Sequence, residues 1–308
     1  MPLELGKLVD RWSRHAGALC LIYCLASSMM LLAGWGGEAV LDFVGAWGTY
    51  PLMAAAMLML WPVVTDASLT RRRRLAFRLI FGALILDCVA STAWGYDAIS
   101  GEATFGSWPD VLFLFYYPMA AVACGLLYFD LGGRLDSARS LIDFATLAIG
   151  FGALLWFTAL EPLATMSFAE FVDNWSLAGY GIGNAMALVA GAMVAMQITD
   201  WRSERSLVWL LIAMVVTLVA DLLWVNAELR GEYELGSSID VAYLYFYLCL
   251  FLSARAQRRY RSPGADTLGL QGDLRGSLPM VALSTGIIAL LDDRLQLTNF
   301  ESPLLIGV

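Results

Sequence analysis

The sequence predicts an all-α membrane protein: a polytopic transmembrane helical bundle of two parallel four-helix repeats plus a ninth helix and a truncated tenth. Three observations predict it. Of 308 residues, 59% are hydrophobic and 15% charged, too little polar composition to cover an ordinary soluble domain. Apolar runs of about 17 to 25 residues, enough to cross a bilayer as helix, recur roughly every 30 residues and lack the alternation of barrel strands. Finally, a stretch occurs twice: residues 101–118 read GEATFGSWPDVLFLFYYP and residues 231–248 read GEYELGSSIDVAYLYFYL, eight of eighteen positions identical without a gap. Such self-similarity marks an internal repeat.

Residues 1–16 carry Lys7, Arg11 and Arg14 among scattered apolar side chains and read as a cytoplasmic amphipathic segment lying along the membrane surface. No small-x-small cleavage site follows, so the segment is retained. The first repeat, 17–130, holds predicted crossings at 17–35, 46–64, 75–94 and 109–129. The second, 140–254, holds crossings at 140–160, 177–198, 206–224 and 240–253. Four crossings per unit is an even number, so the two units share one orientation and are related by an axis along the membrane normal. An Arg-rich linker at 255–276 leads to a C-terminal membrane segment, 277–308, with a short apolar run at 278–291 and the start of a further helix at 303. The unfinished run implies a membrane piece of a longer protein.

The charges assign the sides. The N-terminal segment and every second loop after it hold 17 of the 19 Lys and Arg, which places them in the cytoplasm by the positive-inside bias. The opposite loops hold only Arg230 and Arg294 against fifteen acids. Asp87 and Asp221 are the two carboxylates left within the membrane, where an acid costs about 2.5 to 3.5 kcal/mol on insertion scales.

The repeat selects candidate binding residues. An offset of 130 maps Asp110 onto Asp240, Tyr117 onto Tyr247 and Tyr50 onto Tyr180; an offset of 134 maps Asp66 onto Asp200 and Asp87 onto Asp221. Each Tyr lies seven residues after its Asp in the 110/117 and 240/247 pairs, two helical turns, so the two share a face. Asp87 and Asp221 read as ligand or ion contacts, or as interhelical hydrogen bonds. Asp110 and Asp240 follow Ser107 and Ser237 in the spacing of a capping box, which accounts for them without a ligand but does not exclude lining a pocket. Trp47, Trp94, Trp108 and Trp224 fall where an aromatic belt is expected. Gly179, Gly183, Ala187 and Gly191 form a small-residue stripe for close helix packing.

Other chemistry has little to build on. The five cysteines lie in apolar runs and read as packing residues, and His15 is the single histidine, so neither metal nor haem is expected and no cofactor is implied. Phosphate-binding loops and nucleophile-base arrangements are missing from the sequence, so no catalytic residue is assigned. A soluble basic surface for nucleic acid is likewise missing.

The helical aspartate Asp87, PDVLFLFYYP at 109–118, LIDFATLAIGFGALLWFTALEP at 141–162 and LVADLLWVNAELRGEYELGSSIDVAYLYFY at 218–247 resemble the multi-pass N-terminal region of bacterial GGDEF and GGDEF-EAL proteins. Where that region often carries Tyr-Pro-x-x-Asp, this chain has Tyr180-Gly181-Ile182-Gly183-Asn184, which adds Asn184 to the candidates. The resemblance implies a sensory input module in the bacterial inner membrane, N-terminus cytoplasmic, acting as a homodimer on a cytoplasmic cyclic-di-GMP domain. The catalytic GGDEF and EAL sequences do not occur in the chain. The expected partners are membrane lipids and a small amphiphilic or cationic ligand held in an acidic, aromatic-lined cavity. A proton- or cation-coupled transporter or channel is the alternative, and a structural membrane protein the third.

Overall fold

The computed structural model describes residues 2–100, 107–132, 138–156, 167 and 175–259. Its elements are helices throughout the described residues: α1 (Pro2–Ala33), α2 (Glu38–Trp47), α3 (Tyr50–Thr65), α4 (Arg71–Ser100), α5 (Trp108–Asp130), α6 (Ala138–Leu155), α7 (Trp175–Gln197), α8 (Arg205–Leu229) and α9 (Asp240–Arg258). Six stretches are long and apolar enough to cross a membrane: His15–Ala33, Glu38–Thr65, Arg71–Ser100, Trp108–Asp130, Trp175–Gln197 and Arg205–Glu228. The protein is therefore an all-α, multi-pass membrane bundle.

The two other expected crossings differ in kind. α6 carries a shorter apolar stretch, Ile142–Ala153, and most of 156–160 lies outside the described residues. α9 starts on Asp240 and carries Arg255 and Arg258 in its last turn, while most of its apolar side chains are buried against other helices. It is a central helix of the bundle. The runs at 278–291 and 303–308 lie outside the described residues.

Boundaries shift for local reasons. The amphipathic N-terminal segment is continuous with the first crossing as one helix, α1. The expected helix over 46–64 is two helices: α2 closes at Gly48, whose N–H donates to Val44 O at 2.8 Å, and α3 restarts with Pro51 in its first turn. A proline there supplies no N–H to continue the ladder and is pre-set for a helix start. α4 begins at Arg71, so the arginine run expected as loop is its first turn. Upstream of it, Asp66 Oδ1 accepts the N–H of Ser68 at 2.8 Å, and in the second unit Asp200 Oδ1 accepts that of Arg202 at 2.9 Å. The repeat-related aspartates thus make the same turn. That turn holds the Asp200 carboxyl below the usual range, chiefly through the Arg202 N–H.

Packing closes a ring. α3 lies against α4, α4 along α5, α5 against α7, α7 against α8, α8 along α9, and α9 returns to α3. Exchanging the helices related by the repeat (α3 with α7, α4 with α8, α5 with α9) reproduces the same order of neighbours. Each unit therefore lends its last helix to the other: α5 packs on α7, and α9 on α3. Outside the ring, α1 rests on α9 and α3, and α6 on α7. The stripe on α7 permits the close α5–α7 approach: a Cβ on Gly179 would stand 2.6 Å from Leu114, and one on Gly183 2.4 Å from the Tyr117 ring. At the arginine-rich end, Arg73 of α4, 2% exposed, pairs with Glu204 of the second unit, 6% exposed, and lies 3.9 Å from Asp130.

Candidate functional site

At the end of the ring opposite Arg73, the helices surround a cavity of about 130 Å³. Every ring helix but α3 contributes to its wall, together with α2, Thr49 just ahead of α3, and Tyr233 between α8 and α9. Asp87 comes from the second half of α4, Asp110 and Tyr117 from the first half of α5, Tyr180 from α7, Asp221 from α8, and Asp240 and Tyr247 from α9. The rest is largely aromatic, including Trp94, Phe113, Tyr116, Trp224, Tyr243 and Phe246, and among the described residues neither Lys nor Arg lines it.

The two membrane aspartates are held crosswise. Tyr117 of the first unit donates to Asp221 Oδ2 of the second at 2.6 Å, and Tyr247 of the second donates to Asp87 Oδ2 of the first at 2.6 Å. Under the repeat these are one bond drawn twice. A hydroxyl given to a carboxylate in a low-dielectric site contributes roughly 1.5 to 3 kcal/mol. The interhelical hydrogen bond and the cavity wall, alternatives in the sequence, are here one arrangement.

Around these pairs the halves diverge. Asp221 receives two further donors, Asn184 Nδ2 at 3.1 Å and Tyr243 at 3.1 Å. The repeat-equivalent positions are Ala54 and Phe113, which donate nothing. Among the described residues, Asp87 thus receives one side-chain hydroxyl and Asp221 three groups.

Asp110 and Asp240 do stand in the first turns of their helices, as the capping reading expects, but the serine half of the capping box is not formed. Ser107 makes no side-chain cap on α5, and the residue preceding α9 is Ile239, with no side-chain cap either. Asp110 Oδ1 instead accepts the Tyr180 hydroxyl at 2.9 Å. Asp240 accepts the Tyr233 hydroxyl at 2.9 Å on one oxygen and the Gly236 N–H at 2.8 Å on the other. Burial, and then the Asp240 charge, push the Tyr233 hydroxyl well above its ordinary range, so it stays a donor. Gly236 sits at φ 81°, and a Cβ there would lie 2.5 Å from Leu41 O of α2. Only a glycine lets α2 close this tightly over the turn.

Of the nine candidates, seven line the cavity: Asp87, Asp110, Asp221, Asp240, Tyr117, Tyr180 and Tyr247. Asn184, 3% exposed, stands behind Asp221 and orients it. Tyr50 is apart, donating to Thr92 Oγ1 at 2.9 Å and stacking near Trp47. Trp94 and Trp224, expected in an aromatic belt, are cavity wall, with Trp224 edge-on to Tyr180 at 5.3 Å between ring centroids. Tyr116, Tyr233 and Tyr243 were not legible through the repeat, because the counterparts of Tyr116 and Tyr243 are Phe246 and Phe113 and that of Tyr233 is Ala103. The 3.6-residue period finds Tyr243, which lies one turn from both Asp240 and Tyr247.

No protein-family model matches the chain, and comparison with curated proteins and with solved structures finds no match in either.

Proposed function

We propose that the chain is a membrane-embedded input module that binds a small extracytoplasmic or membrane ligand and regulates a cytoplasmic cyclic-di-GMP output domain. The observation that carries the binding part is the acidic, aromatic cavity enclosed between two units that hold each other's aspartates. A ligand there touches both units at once, so it can favour one packing of the ring over another. Only such differential binding drives a change of state. α9 supplies the path outward: its first half lines the cavity and its basic end leads to residue 259 and the following chain. The output itself, the bacterial inner membrane, the cytoplasmic N-terminus and the homodimer rest on the quoted resemblance and on the charge asymmetry.

The test uses the gene's full product in cells. Cellular cyclic-di-GMP should change on its expression, and Asp221→Asn should alter that change without loss of protein from the membrane. An unchanged nucleotide level sinks the output. A reporter fused at Glu232 should behave as extracytoplasmic; cytoplasmic behaviour inverts the topology. The site's position between two equivalent units also suits alternating access, so uptake into proteoliposomes that Asp87→Asn abolishes would move a cation-coupled transporter to first place.

A further inference from the structure

Resting on the reading of this cavity as a ligand site, we infer that its ligand is a compact organic ammonium ion with N–H donors, anchored on Asp87 rather than on Asp221. Three independent features of the wall carry this.

The first is the distribution of donors. Both oxygens of Asp221 are engaged, Oδ2 by Tyr117 and Asn184 and Oδ1 by Tyr243. Asp87 has a donor on Oδ2 only, and its Oδ1 meets no donor among the described residues. The carboxylate with an oxygen to spare is the one on α4.

The second is a pair of hydroxyls with nothing to bond. Thr217 lies one turn before Asp221, is 8% exposed and lines the cavity. A helical threonine usually satisfies itself on the carbonyl four residues back, as Thr92 and Thr146 do at 2.7 and 2.8 Å. Thr217 makes no hydrogen bond to a described residue, and neither does the hydroxyl of Tyr116 across the cavity. Tyr116 is partly buried, and neither hydroxyl is sealed away from the cavity, so both are free to bond a group that enters it. Hydroxyl oxygens and a carboxylate oxygen together accept N–H.

The third separates an organic cation from a metal. Four carboxylates line the cavity, yet among the described residues no three acidic, His or Cys side chains come together as a metal-binding group. Divalent ions require several oxygens converging on one point; here tyrosines hold the carboxylates apart. The spaces between them are aromatic, with Phe246 and Tyr116 rings 5.9 Å apart and edge-on. Such faces attract an ammonium group and its alkyl substituents. The volume of 130 Å³ is of the order that accommodates one benzene ring, about 150 Å³, so the ligand is compact.

The experiment uses the purified full chain in detergent or nanodiscs, reading intrinsic fluorescence, since Trp94 and Trp224 line the site. The probes are n-butylammonium, tetramethylammonium and 1-butanol, of equal heavy-atom count, with calcium chloride as competitor. n-Butylammonium should give a saturable change, with 1-butanol at least tenfold weaker and tetramethylammonium weaker than the primary amine. Asp87→Asn should weaken n-butylammonium binding about tenfold or more, and Thr217→Val and Tyr116→Phe each several-fold, as for lost hydrogen bonds to a charged group. Asp221→Asn should reduce stability more than affinity. Equal binding of the amine and the alcohol, undiminished binding in Asp87→Asn, or displacement by calcium at equal concentration overturns the assignment. Saturable binding of 1-butanol that Thr217→Val reduces would sink the ammonium class while leaving the cavity as a ligand site. The absence of any saturable response would remove both.

Discussion

A tyrosine hydroxyl on a buried carboxylate has a value set by what else that carboxylate holds. Tyr247→Phe removes the single side-chain donor of Asp87 among the described residues, whereas Tyr117→Phe leaves Asp221 with Asn184 and Tyr243. The melting temperature in detergent should therefore fall further for Tyr247→Phe, with a cost near 1.5 to 3 kcal/mol for the lost charged hydrogen bond. An equal or reversed order would mean that the three donors on Asp221 do not share its charge. Gly183→Ala tests the other side of the Tyr117 contact: the added carbon, 2.4 Å from the ring, must displace it, at about 1 to 3 kcal/mol for overpacking. Which residues mattered was partly legible, since the duplication picks out Asp87, Asp110, Tyr117 and their copies. Tyr50 shows the limit: its copy Tyr180 reaches Asp110, but Tyr50 bonds within its own unit to Thr92. Identity at equivalent positions does not fix a hydroxyl's partner.

At the scale of helices, hydropathy located the apolar runs because each must face lipid or core over about 20 residues. It was silent on where helices exceed the apolar stretch. The arginines at the start of α4 and the end of α9 continue helices whose ends reach beyond it. Hydropathy also missed α2, since the Gly48 to Pro51 break is a backbone event inside an apolar run. Among these helix ends, the Arg73–Glu204 pair joins the first unit to the second at the basic end. Removing one partner strands a buried charge, so Glu204→Gln should destabilise by about 3 to 5 kcal/mol. Arg73→Met combined with Glu204→Leu should recover much of that loss in the same melting assay. A double variant no better than the single would show that the pair's neighbours, Asp130 and Thr70, need the arginine charge.

For the whole molecule, the repeat foretold that there are two similar units, but not that they are interleaved. Periodicity reports what recurs along the chain, and neighbour choice is settled by which helix faces fit. The ring has a consequence that can be measured. If the chain is cut between residues 133 and 137 and the two pieces are co-expressed, they should co-purify and together show the melting transition of the intact protein. Each expressed alone should be degraded or aggregate, having an unshielded α5 or α9 face. Independent stability of either piece would contradict the interleaving.

The crossed bonds also have the form of a dimer contact. In a two-fold dimer of identical chains, a residue that reaches the partner is necessarily reached by it in return. The 2.6 Å contacts between Tyr117 and Asp221 and between Tyr247 and Asp87 have that form within one polypeptide. That is the form that doubling and fusing the gene for a self-pairing protein would leave. In a two-fold dimer a pocket on the symmetry axis has identical walls, and any change to one is imposed on both. A single chain is free of that restriction. Asn184 and Tyr243 stand on one side and Ala54 and Phe113 on the other, so that one aspartate is braced where its twin is left more open.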